Sequence, residues 1–312
     1  MQDVPTKPLI SVVMATYNGS RFLVEQLDSI LAQTYRPIEL VVVDDRSTDS
    51  TMTVLEKYVS KFADIRIEQN QETLGYIKNF EKGMLLARGD LIALSDQDDR
   101  WHPEKLSLLY EALGYQELIY SNSELIDENG VSLGKKMSDI RNQISYTDCL
   151  MYTIGAWAPG HAMLFKKSVF ERCRPFPDLV THDFWLGYVA ACKGPVLYYP
   201  GSLVYYRQHN QNAIGANTHT RKTEQKRPTV EWRKQRSRAR MQLLYEKCPA
   251  ENTEQKQVLK VLSNTYQHSG LQNNWLRMVT FLRYRNRILA YKKKSSFEKI
   301  LFCVKMFFKI DY

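Results

Sequence analysis

Short apolar runs alternate with helical segments across residues 9–96, and this alternation restricts the fold more than any other feature of the sequence. Four such runs occupy residues 9–18, 38–47, 65–70 and 90–96. The segments between them space their apolar residues three and four positions apart, which indicates amphipathic helices. Buried strands that alternate with helices are typical of a parallel sheet covered by helices. The sequence therefore predicts an α/β fold with a mostly parallel, doubly wound sheet.

The chain changes character near residue 216. Additional strands with less regular connections are predicted at residues 117–127, 162–170 and 195–209. Residues 1–216 contain 21 Lys and Arg against 27 Asp and Glu, whereas residues 217–312 contain 22 against 7. The second region is also patterned as charged helices. We therefore predict an α/β domain at residues 1–216 and a basic helical extension at residues 217–312.

Several functional classes lack support in the sequence. No GxGxxG follows the first strand and no GxxxxGK[ST] occurs, so the dinucleotide-binding and P-loop signatures are both absent. The five cysteines show neither a CxxC pair nor zinc-ligand spacing, which predicts a reducing compartment. The N-terminal residues do not resemble a signal peptide, and no run reaches the roughly 18 apolar residues of a membrane span. We expect a cytoplasmic protein.

Acidic residues follow the second and fourth predicted strands, although a turn at these positions does not need several acids. These are Asp44, Asp45, Asp96, Asp98 and Asp99. The carboxyl ends of parallel strands line the ligand crevice of an open α/β sheet, so we expect these acids to converge on one cleft. Carboxylates suit Mg²⁺ or Mn²⁺, which bind together with substrate phosphates. The implied ligand is a metal-bound diphosphate.

Helix capping is the alternative interpretation of these acids. Asp98 and Asp99 would then cap a helix that begins near Pro103, and Asp45 would cap the helix after Ser47.

The order and spacing of several motifs resemble one enzyme family, the inverting family 2 glycosyltransferases with the A-type nucleotide-sugar fold. The motifs are PLISVVMATYNG (8–19), VVVDDRSTDST (41–51), TLGYIKNFEKGMLLARGDLIALSDQDDRW (73–101), HDFW (182–185) and YRQHNQN (206–212). Within the family, SDQDD most resembles bacterial enzymes of surface-polysaccharide assembly, several of them rhamnosyltransferases. The resemblance covers about residues 8–216 and implies that this region binds a nucleotide sugar.

The resemblance also implies roles for individual residues in binding the donor. Asp98 and His209 would hold Mn²⁺ or Mg²⁺, and a structural role for His209 remains the alternative. Thr16 and Asp45 would contact the nucleotide base, and Asp96 the ribose or the diphosphate. The remaining candidates for binding the nucleotide sugar are Tyr17, Asn18, Lys78 and Arg207.

Asp183 is the candidate general base of an inverting transfer, which needs a carboxylate to deprotonate the acceptor hydroxyl. A helix N-cap is the alternative role for this residue. Trp185 would offer a face for stacking a sugar, and Gly160 would allow the backbone to approach the sugar closely. His161 is a candidate sugar contact or a packing residue. The sequence departs from the family in DQDD and in PGH (159–161), and the second departure leaves acceptor contacts open.

The last segment, SSFEKILFCVKMFFKIDY (295–312), predicts an amphipathic helix. Glu298 and three lysines cluster on one side and apolar residues, four of them phenylalanines, occupy the rest, a pattern typical of a helix lying on an anionic bilayer. Packing on protein, or contact between subunits, is the alternative. A membrane-bound acceptor would make attachment to the inner face of the membrane useful.

These observations predict an inverting, metal-dependent glycosyltransferase. It would move a sugar from a UDP- or dTDP-sugar to a saccharide or a lipid-linked saccharide. A nucleic-acid-binding protein that uses the basic extension is the main alternative. We do not expect nucleic acid as a partner, because acids at the strand ends repel a polyanion. A degenerate sugar-binding or scaffolding protein fits less well with the intact set of acids.

Overall fold

The computed structural model describes residues 7–209, 229–268 and 270–309. Its strands are β1 Ile10–Thr16, β2 Ile38–Asp44, β3 Ile65–Gln69, β4 Leu91–Ser95, β5 Arg100–Trp101, β6 Leu118–Ile126, β7 Ser132–Lys136, β8 Met163–Lys166 and β9 Val196–Arg207. Its helices are α1 Leu23–Leu31, α2 Thr51–Tyr58, α3 Tyr76–Leu86, α4 Lys105–Leu113, α5 Met137–Ile140, α6 Lys167–Cys173, α7 His182–Ala191, α8 Val230–Lys247, α9 Thr253–Gln267, α10 Leu271–Arg283, α11 Arg285–Ile288 and α12 Ser296–Lys305.

The strands form one mixed sheet in the order β3-β2-β1-β4-β8-β6-β9-β5, and β7 pairs with β6. The first four strands in this order are parallel, as the alternating pattern predicts. Beyond β4 the sheet becomes mixed, because β8 runs antiparallel to both of its neighbours. The α/β class is confirmed, and its parallel part is the segment whose strands and helices alternate regularly.

Both faces of the parallel strands are buried. Successive side chains point to opposite sides of the sheet, so neighbouring residues of one strand belong to different hydrophobic clusters. Val13 and Val41 pack in one hydrophobic cluster, whereas Val12 and Leu40 pack in the other. The register pairs Thr16 with Asp44 at the carboxyl ends of β1 and β2. This register brings the polar residues that follow each strand to one edge of the sheet.

One predicted strand is shorter than its apolar pattern suggests. The run at residues 162–170 forms β8 only as far as Lys166, and α6 begins at the next residue. Val169 and Phe170 of α6 are buried in the core. A short apolar run supports a strand or a buried helix equally well, and packing decides between them here.

The helical region shares a hydrophobic cluster with the α/β region and is not a separate domain with its own core. Met241, Leu244 and Leu259 belong to the same hydrophobic cluster as Val13 and Phe165. The two regions therefore share a core. The predicted boundary at residue 216 lies outside the described residues and stays a prediction.

The helix α12 and the turn that follows it at residues 306–308 have apolar residues on both a buried and an exposed side. Cys303 and Met306 are fully buried, whereas Phe297 and Phe308 are 68% and 77% exposed. Packing on protein therefore accounts for one side of this segment, and the apolar side chains on its other side are exposed. Among the described residues, the helices are all too short or too polar to cross a bilayer.

Candidate active site

A cavity of about 830 Å³ opens at the carboxyl ends of β1, β2 and β4. Four carboxylates line it: Asp45, Asp96, Asp98 and Asp183. Asp183 reaches the cavity from the first turn of α7, far along the chain from the other three. The sheet edge and the start of α7 therefore form one acidic cleft.

Asp45 is 4% exposed and is held by three hydrogen bonds. Its Oδ1 accepts from the backbone N–H of Leu74 at 2.8 Å and from the side-chain amide of Asn70 at 2.9 Å, and its Oδ2 accepts from the N–H of Gly75 at 2.8 Å. A carboxylate offers about four lone-pair sites, so Oδ2 keeps capacity for one more donor. The capping alternative is wrong for Asp45, because α2 begins at Thr51 with Ser50 at its N-cap.

Thr16 holds the ends of β1 and β2 together. Its hydroxyl donates to Oδ1 of Asp44 at 2.8 Å, and its carbonyl accepts from the N–H of Asp45 at 2.8 Å. Thr16 is 1% exposed but contributes to the wall of the cleft. This arrangement fixes the position of Asp45 relative to β1.

The loop after β1 brings Tyr17 and Asn18 to the cleft. The backbone of Tyr17 forms two hydrogen bonds with the side-chain amide of Gln97, at 2.9 and 3.0 Å. Asn18 adopts a left-handed conformation with φ of 47° and accepts from the N–H of Thr48 at 2.8 Å. A Cβ at Gly19 would lie 2.1 Å from Oε1 of Gln97, so the close approach of this amide requires glycine.

Asp96 lies beside a buried histidine. Its Oδ2 is 3.7 Å from Nδ1 of His161, whose Nε2 is 3.0 Å from the hydroxyl of Ser123. Burial disfavours the ionised form of Asp96, but the neighbouring His161, together with the charges of His182 and Lys105, outweighs it and lowers the pKa of this carboxyl. Asp96 is therefore ionised at neutral pH, and His161, which lines the cleft, also orients it.

Asp99 lies behind the cleft rather than in it. It is fully buried, and burial together with the charges of Asp98 and Asp96 raises its pKa well above the usual value. Its Oδ1 accepts from the N–H of Arg207 at 3.1 Å, and its Oδ2 has no hydrogen-bond partner in the part of the chain that the structure describes. The neighbouring Lys105 is also fully buried; its ammonium donates to the carbonyl of His161 at 2.6 Å.

Asp98 and His209 form the pair expected to hold a metal ion. Oδ2 of Asp98 lies 2.8 Å from Nε2 of His209, and both residues line the cleft. A carboxylate oxygen and an imidazole nitrogen that lie this close together are both suitable ligands for Mn²⁺, whereas Mg²⁺ would prefer the carboxylate oxygen. The capping alternative is wrong for Asp98 and Asp99, because α4 begins at Lys105 with Glu104 at its N-cap. A second group, Asp96, Asp99 and His161, has ligand atoms within 4.8 Å of one another, but it includes the buried Asp99.

Asp183 is the second residue of α7, and the N-cap residue is Thr181. Its Oδ1 accepts from the N–H of Phe184 at 2.7 Å. The adjacent His182 is buried against Phe80 with ring centroids 4.4 Å apart, and burial lowers its pKa although the charge of Asp183 opposes this. His182 therefore shapes the site as a neutral ring, in contact with the loop that contains Gly160.

Gly160 lies where that loop touches the start of α7. A Cβ at this position would be 2.8 Å from Nε2 of His182 and 3.6 Å from Cβ of Asp183. A larger residue would therefore displace either the loop or the histidine. Glycine is required here by close packing against α7.

Three of the predicted site residues do not line the cleft. Trp185 is 2% exposed, its Nε1 donates to the carbonyl of Cys173 at 2.9 Å, and its ring stacks on Tyr188. The prediction that Trp185 stacks a sugar is therefore wrong: it lies two positions after Asp183 on α7, a rotation of about 200° that turns its side chain into the core.

The other two are cations that are already paired. The ammonium of Lys78 binds Glu81 at 2.9 Å and the carbonyl of Phe176 at 3.0 Å. Arg207 is fully buried, and its guanidinium binds Glu25 at 2.6 Å and the carbonyl of Asp98 at 2.8 Å. Arg207 therefore supports the segment that contains Asp98 from behind and does not reach the lining of the cleft.

Sequence reasoning missed several residues of the site. Gln97 clamps the loop after β1, and the departure DQDD was its only signal. Tyr76 and Phe80 line the cleft from α3, and their i, i+4 spacing is the same as that of core residues. Lys105 carried no signal, because nothing in the sequence distinguishes a buried lysine from an exposed one.

Comparison with known proteins identifies relatives of this chain. A model of the family described as glycosyl transferase family 2 matches residues 11–174. The dTDP-rhamnosyl transferase RfbG of Shigella flexneri is 28% identical over 223 residues, which cover 65% of this chain and 74% of that protein. Matches to three curated relatives span 66% to 74% of their lengths, about two thirds of each protein.

Two solved structures share the fold. S. aureus TarS 1-349 in complex with UDP-GlcNAc superimposes with a TM-score of 0.60 at 15% identity, over 89% of this chain and 81% of that chain. The mannosyltransferase PcManGT of Pyrobaculum calidifontis, in complex with GDP-Man and Mn²⁺, gives 0.52 at 19% identity, over 96% and 79%. At these identities the likeness concerns the fold, and it confirms the predicted A-type architecture.

Proposed function

The chain belongs to glycosyl transferase family 2, and we propose that it moves a sugar, with inversion, from a pyrimidine nucleotide-diphosphate donor to a saccharide acceptor. The observation that carries this proposal is the single cleft lined by Asp45, Asp96, Asp98 and Asp183. A volume of about 830 Å³ suits a ligand of the size of a nucleotide sugar. The remaining arguments assign parts of the donor and acceptor to its walls.

The nucleotide base would lie against Asp45. The remaining acceptor site on Oδ2 of this carboxylate matches the ring N3–H of uracil or thymine, which cytosine lacks. Tyr17 and Asn18 would form the side of this base pocket, because the loop that carries them is held in place by Gln97 and Thr48. Thr16 would act through its bonds to Asp44 and Asp45.

The ribose and diphosphate would lie toward Asp96 and Asp98. Asp96 is ionised and partly exposed, so it can accept hydrogen bonds from ribose hydroxyls. Asp98 and His209 would hold Mn²⁺ or Mg²⁺ beside the diphosphate, where the cation supplies positive charge for the leaving group. The presence of Mn²⁺ with the related mannosyltransferase supports the use of a divalent cation.

Asp183 would act as the general base. The acceptor hydroxyl transfers its proton to a carboxylate oxygen of Asp183, and its oxygen forms a bond to the anomeric carbon. The bond from that carbon to the diphosphate breaks, and the nucleoside diphosphate leaves with the electron pair. Attack on the face opposite the leaving group inverts the configuration. His161 and Gly160 would contact the sugar or acceptor from the loop that packs on α7.

The donor would be a UDP- or dTDP-sugar of surface-polysaccharide assembly. The name of the Shigella relative, a dTDP-rhamnosyl transferase, makes dTDP-rhamnose the first donor to test. TarS in complex with UDP-GlcNAc supports the inclusion of UDP-sugars.

The enzyme would work at the inner face of the membrane. The exposed side of α12 presents Phe297, Leu301 and Val304, and Phe308 is exposed in the turn that follows; Lys305 and Lys309 are exposed beside them. Apolar rings flanked by lysines suit the surface of an anionic bilayer, where a lipid-linked acceptor would be found.

A donor screen tests the proposed function without knowledge of the acceptor. Slow hydrolysis of UDP- and dTDP-sugars is measured with Mn²⁺, with Mg²⁺ and with EDTA. We expect metal-dependent release of one nucleoside diphosphate, with GDP-sugars as the control. Hydrolysis of GDP-sugars alone would contradict the assignment of Asp45, and no hydrolysis or binding of any donor would contradict the function.

A further inference from the structure

Three cysteine side chains meet in the interior of the protein, away from the acidic cleft. The sulfur atoms of Cys149, Cys192 and Cys248 lie within 4.8 Å of one another. Cys149 and Cys248 are buried, and Cys192 is half-buried. None of the three lines the cleft, so the proposed sugar transfer does not use them. They form a separate cluster of side chains that can ligate a metal ion.

Each of these cysteines belongs to a different element. Cys149 begins a short 3₁₀-helix that ends at Tyr152, whereas Cys192 and Cys248 are the C-cap residues of α7 and α8. The C-terminus of a helix carries a partial negative charge, which favours a cation nearby and disfavours an anion. Two negative helix ends therefore lie beside the three sulfurs, and a positive ion among the sulfurs would be stabilised by both.

The separation of the sulfurs is suitable for one shared ion. Zinc binds thiolate sulfur at about 2.3 Å, so sulfurs placed tetrahedrally around it lie about 3.8 Å apart. Separations of up to 4.8 Å reach this geometry through shifts of about 1 Å at most, which small rotations of the side chains can provide. A disulfide, with its sulfurs about 2.0 Å apart, would join only two of the three cysteines.

Lys256 supplies positive charge beside the cluster. Its ammonium donates to the carbonyl of Cys248 at 2.6 Å and to that of Tyr245 at 2.7 Å. Hydrogen bonds with the thiols of Cys149 and Cys192 lower the pKa of Cys248, and the charge of Lys256 acts in the same direction, whereas burial opposes them. Metals bind the deprotonated thiolate form of cysteine, which this environment favours at Cys248.

The charges at the cluster also distinguish between thiophilic ions. Three thiolates around Zn²⁺ leave one excess negative charge, which the ammonium of Lys256 balances. Three thiolates around Cu⁺ would leave two negative charges against the same ammonium. Because uncompensated charge in a protein interior is costly, the cluster suits Zn²⁺ better than Cu⁺.

We propose that Cys149, Cys192 and Cys248 bind a structural zinc ion that ties the C-terminal ends of α7 and α8 to the segment around Cys149. Zinc favours four ligands, and Cys192 is only half-buried, so water can fill the fourth position without changing the charge of the site. Asp183 lies in the first turn of α7 and Cys192 at its end. The ion would therefore also fix the helix that carries the proposed base, but the inference does not depend on the proposed function.

Titration with Co²⁺ tests the site directly, because Co²⁺ replaces Zn²⁺ in thiolate sites and shows sulfur-to-metal charge transfer in the near ultraviolet only when sulfur binds it. The full chain is reduced, freed of metal with a chelator, and saturated with UDP and Mg²⁺ so that the acidic cleft is filled. We expect charge-transfer absorption that saturates at one Co²⁺ per chain and is abolished by one equivalent of Zn²⁺. No such absorption, or its displacement by Cu⁺ but not by Zn²⁺, would overturn the inference.

Cys192→Ser removes the most accessible of the three ligands. We expect this variant to bind Co²⁺ at least about tenfold more weakly, since even outer-shell partners of a metal matter on this scale. Zn²⁺ should raise the melting temperature of the parent by about 5 °C or more, because an ion that binds only the folded protein stabilises it. The melting temperature of Cys192→Ser should rise by much less.

Cys303→Ser is the matched control, because Cys303 is also buried but lies in α12, outside the cluster. It should bind Co²⁺ as the parent does. Equal Co²⁺ affinities of Cys192→Ser and Cys303→Ser would overturn the inference, since thiols that only fill space in the core would give this result.

A count of free thiols tests the disulfide alternative. The count is made on denatured, metal-free protein that has been prepared under nitrogen without a reductant. All five cysteines should react as free thiols if the cluster binds a metal. Two fewer free thiols in the parent, with the full remaining number in Cys192→Ser, would show a disulfide that involves Cys192 and would overturn the inference.

Discussion

The strand-end region, β1 to β4 with the loops that follow them, and the helical region, α8 to α12, achieve their charge patterns in different ways. In the strand-end region, acids far apart in sequence line one cleft because parallel strands end at the same edge. In the helical region, 22 Lys and Arg accompany 7 Asp and Glu over residues 217–312. Three arginines of α8, Arg233, Arg236 and Arg240, line a cavity, whereas Arg277 of α10 and Arg287 of α11 bind protein groups.

The two regions differ in how well the position of a residue in the sequence predicts where its side chain lies in the structure. In a parallel sheet, the end of a strand fixes where the next side chain lies, so chemistry can be located from the pattern. On a helix that packs against other helices, each face is either buried or exposed according to tertiary contacts. We therefore propose that the chemical step belongs to the strand-end region together with Asp183, and that membrane contact belongs to the helical region.

The strongest test of this division is Asp183→Asn. Asparagine keeps the size of the side chain and can still accept from the N–H of Phe184, but it cannot take a proton near neutral pH. We expect the rate of sugar transfer to fall by about two to four orders of magnitude. Donor affinity should be nearly unchanged. The measurements are transfer kinetics and calorimetry with the donor.

Asp178→Asn is the matched control, since this acid lies near α7 but its side chain is 86% exposed. It should transfer sugar at the parental rate. A transfer rate for Asp183→Asn within a few fold of the parent would remove Asp183 from the chemical step and break the division between regions.

The second test is Asp98→Ala, which removes the carboxylate that pairs with His209. We expect the affinity for UDP in the presence of Mn²⁺ to fall at least about tenfold, since even outer-shell partners of a metal matter on this scale. Affinity measured in EDTA should change little. Unchanged, metal-dependent binding would place the cation on another group, with Asp96 and His161 the next residues to substitute.

The smallest expected effect concerns the helical region. Phe297→Ser combined with Phe308→Ser removes two exposed rings, one from α12 and one from the turn after it, and leaves the buried Cys303 and Met306 in place. We expect binding to anionic vesicles to weaken by about tenfold or more, because each ring contributes apolar surface to the bilayer. Co-sedimentation measures this effect.

Tyr115→Ser is the control for the vesicle assay, because Tyr115 is 99% exposed but lies in the α/β region. It should bind vesicles as the parent does. Equal sedimentation of the double variant and the parent would assign the exposed face of α12 to a contact other than the membrane.

Much of the fold could be predicted because local pattern and tertiary position coincide in the parallel sheet. The first four predicted strands and the helices between them lie where the pattern placed them. The mixed half of the sheet was harder to predict from the sequence, because β8 is short and α6 begins directly after it. Antiparallel pairing there depends on contacts between strands that are distant in sequence.

The candidate site was predicted unevenly for a related physical reason. Asp45, Asp96 and Asp98 follow strands, and their position in the cleft comes from the sheet. Trp185 and Arg207 were misplaced because their neighbours in sequence, Asp183 and His209, do line the cleft. On α7 and β9, adjacent side chains point in different directions, and only packing decides which one reaches the cleft.

By itself, the sequence determined the α/β class, the position of the acids at the strand ends and the basic character of the helical region. Tertiary structure alone decided which side chains share a space. Cys149, Cys192 and Cys248, far apart in sequence and without any ligand-like spacing, have sulfur atoms within 4.8 Å of one another. Arg233, Arg236 and Arg240 of α8 likewise line a cavity only because this helix lies near the start of α7. Periodicity records which residues share an element, whereas proximity between elements depends on the packing of the whole core.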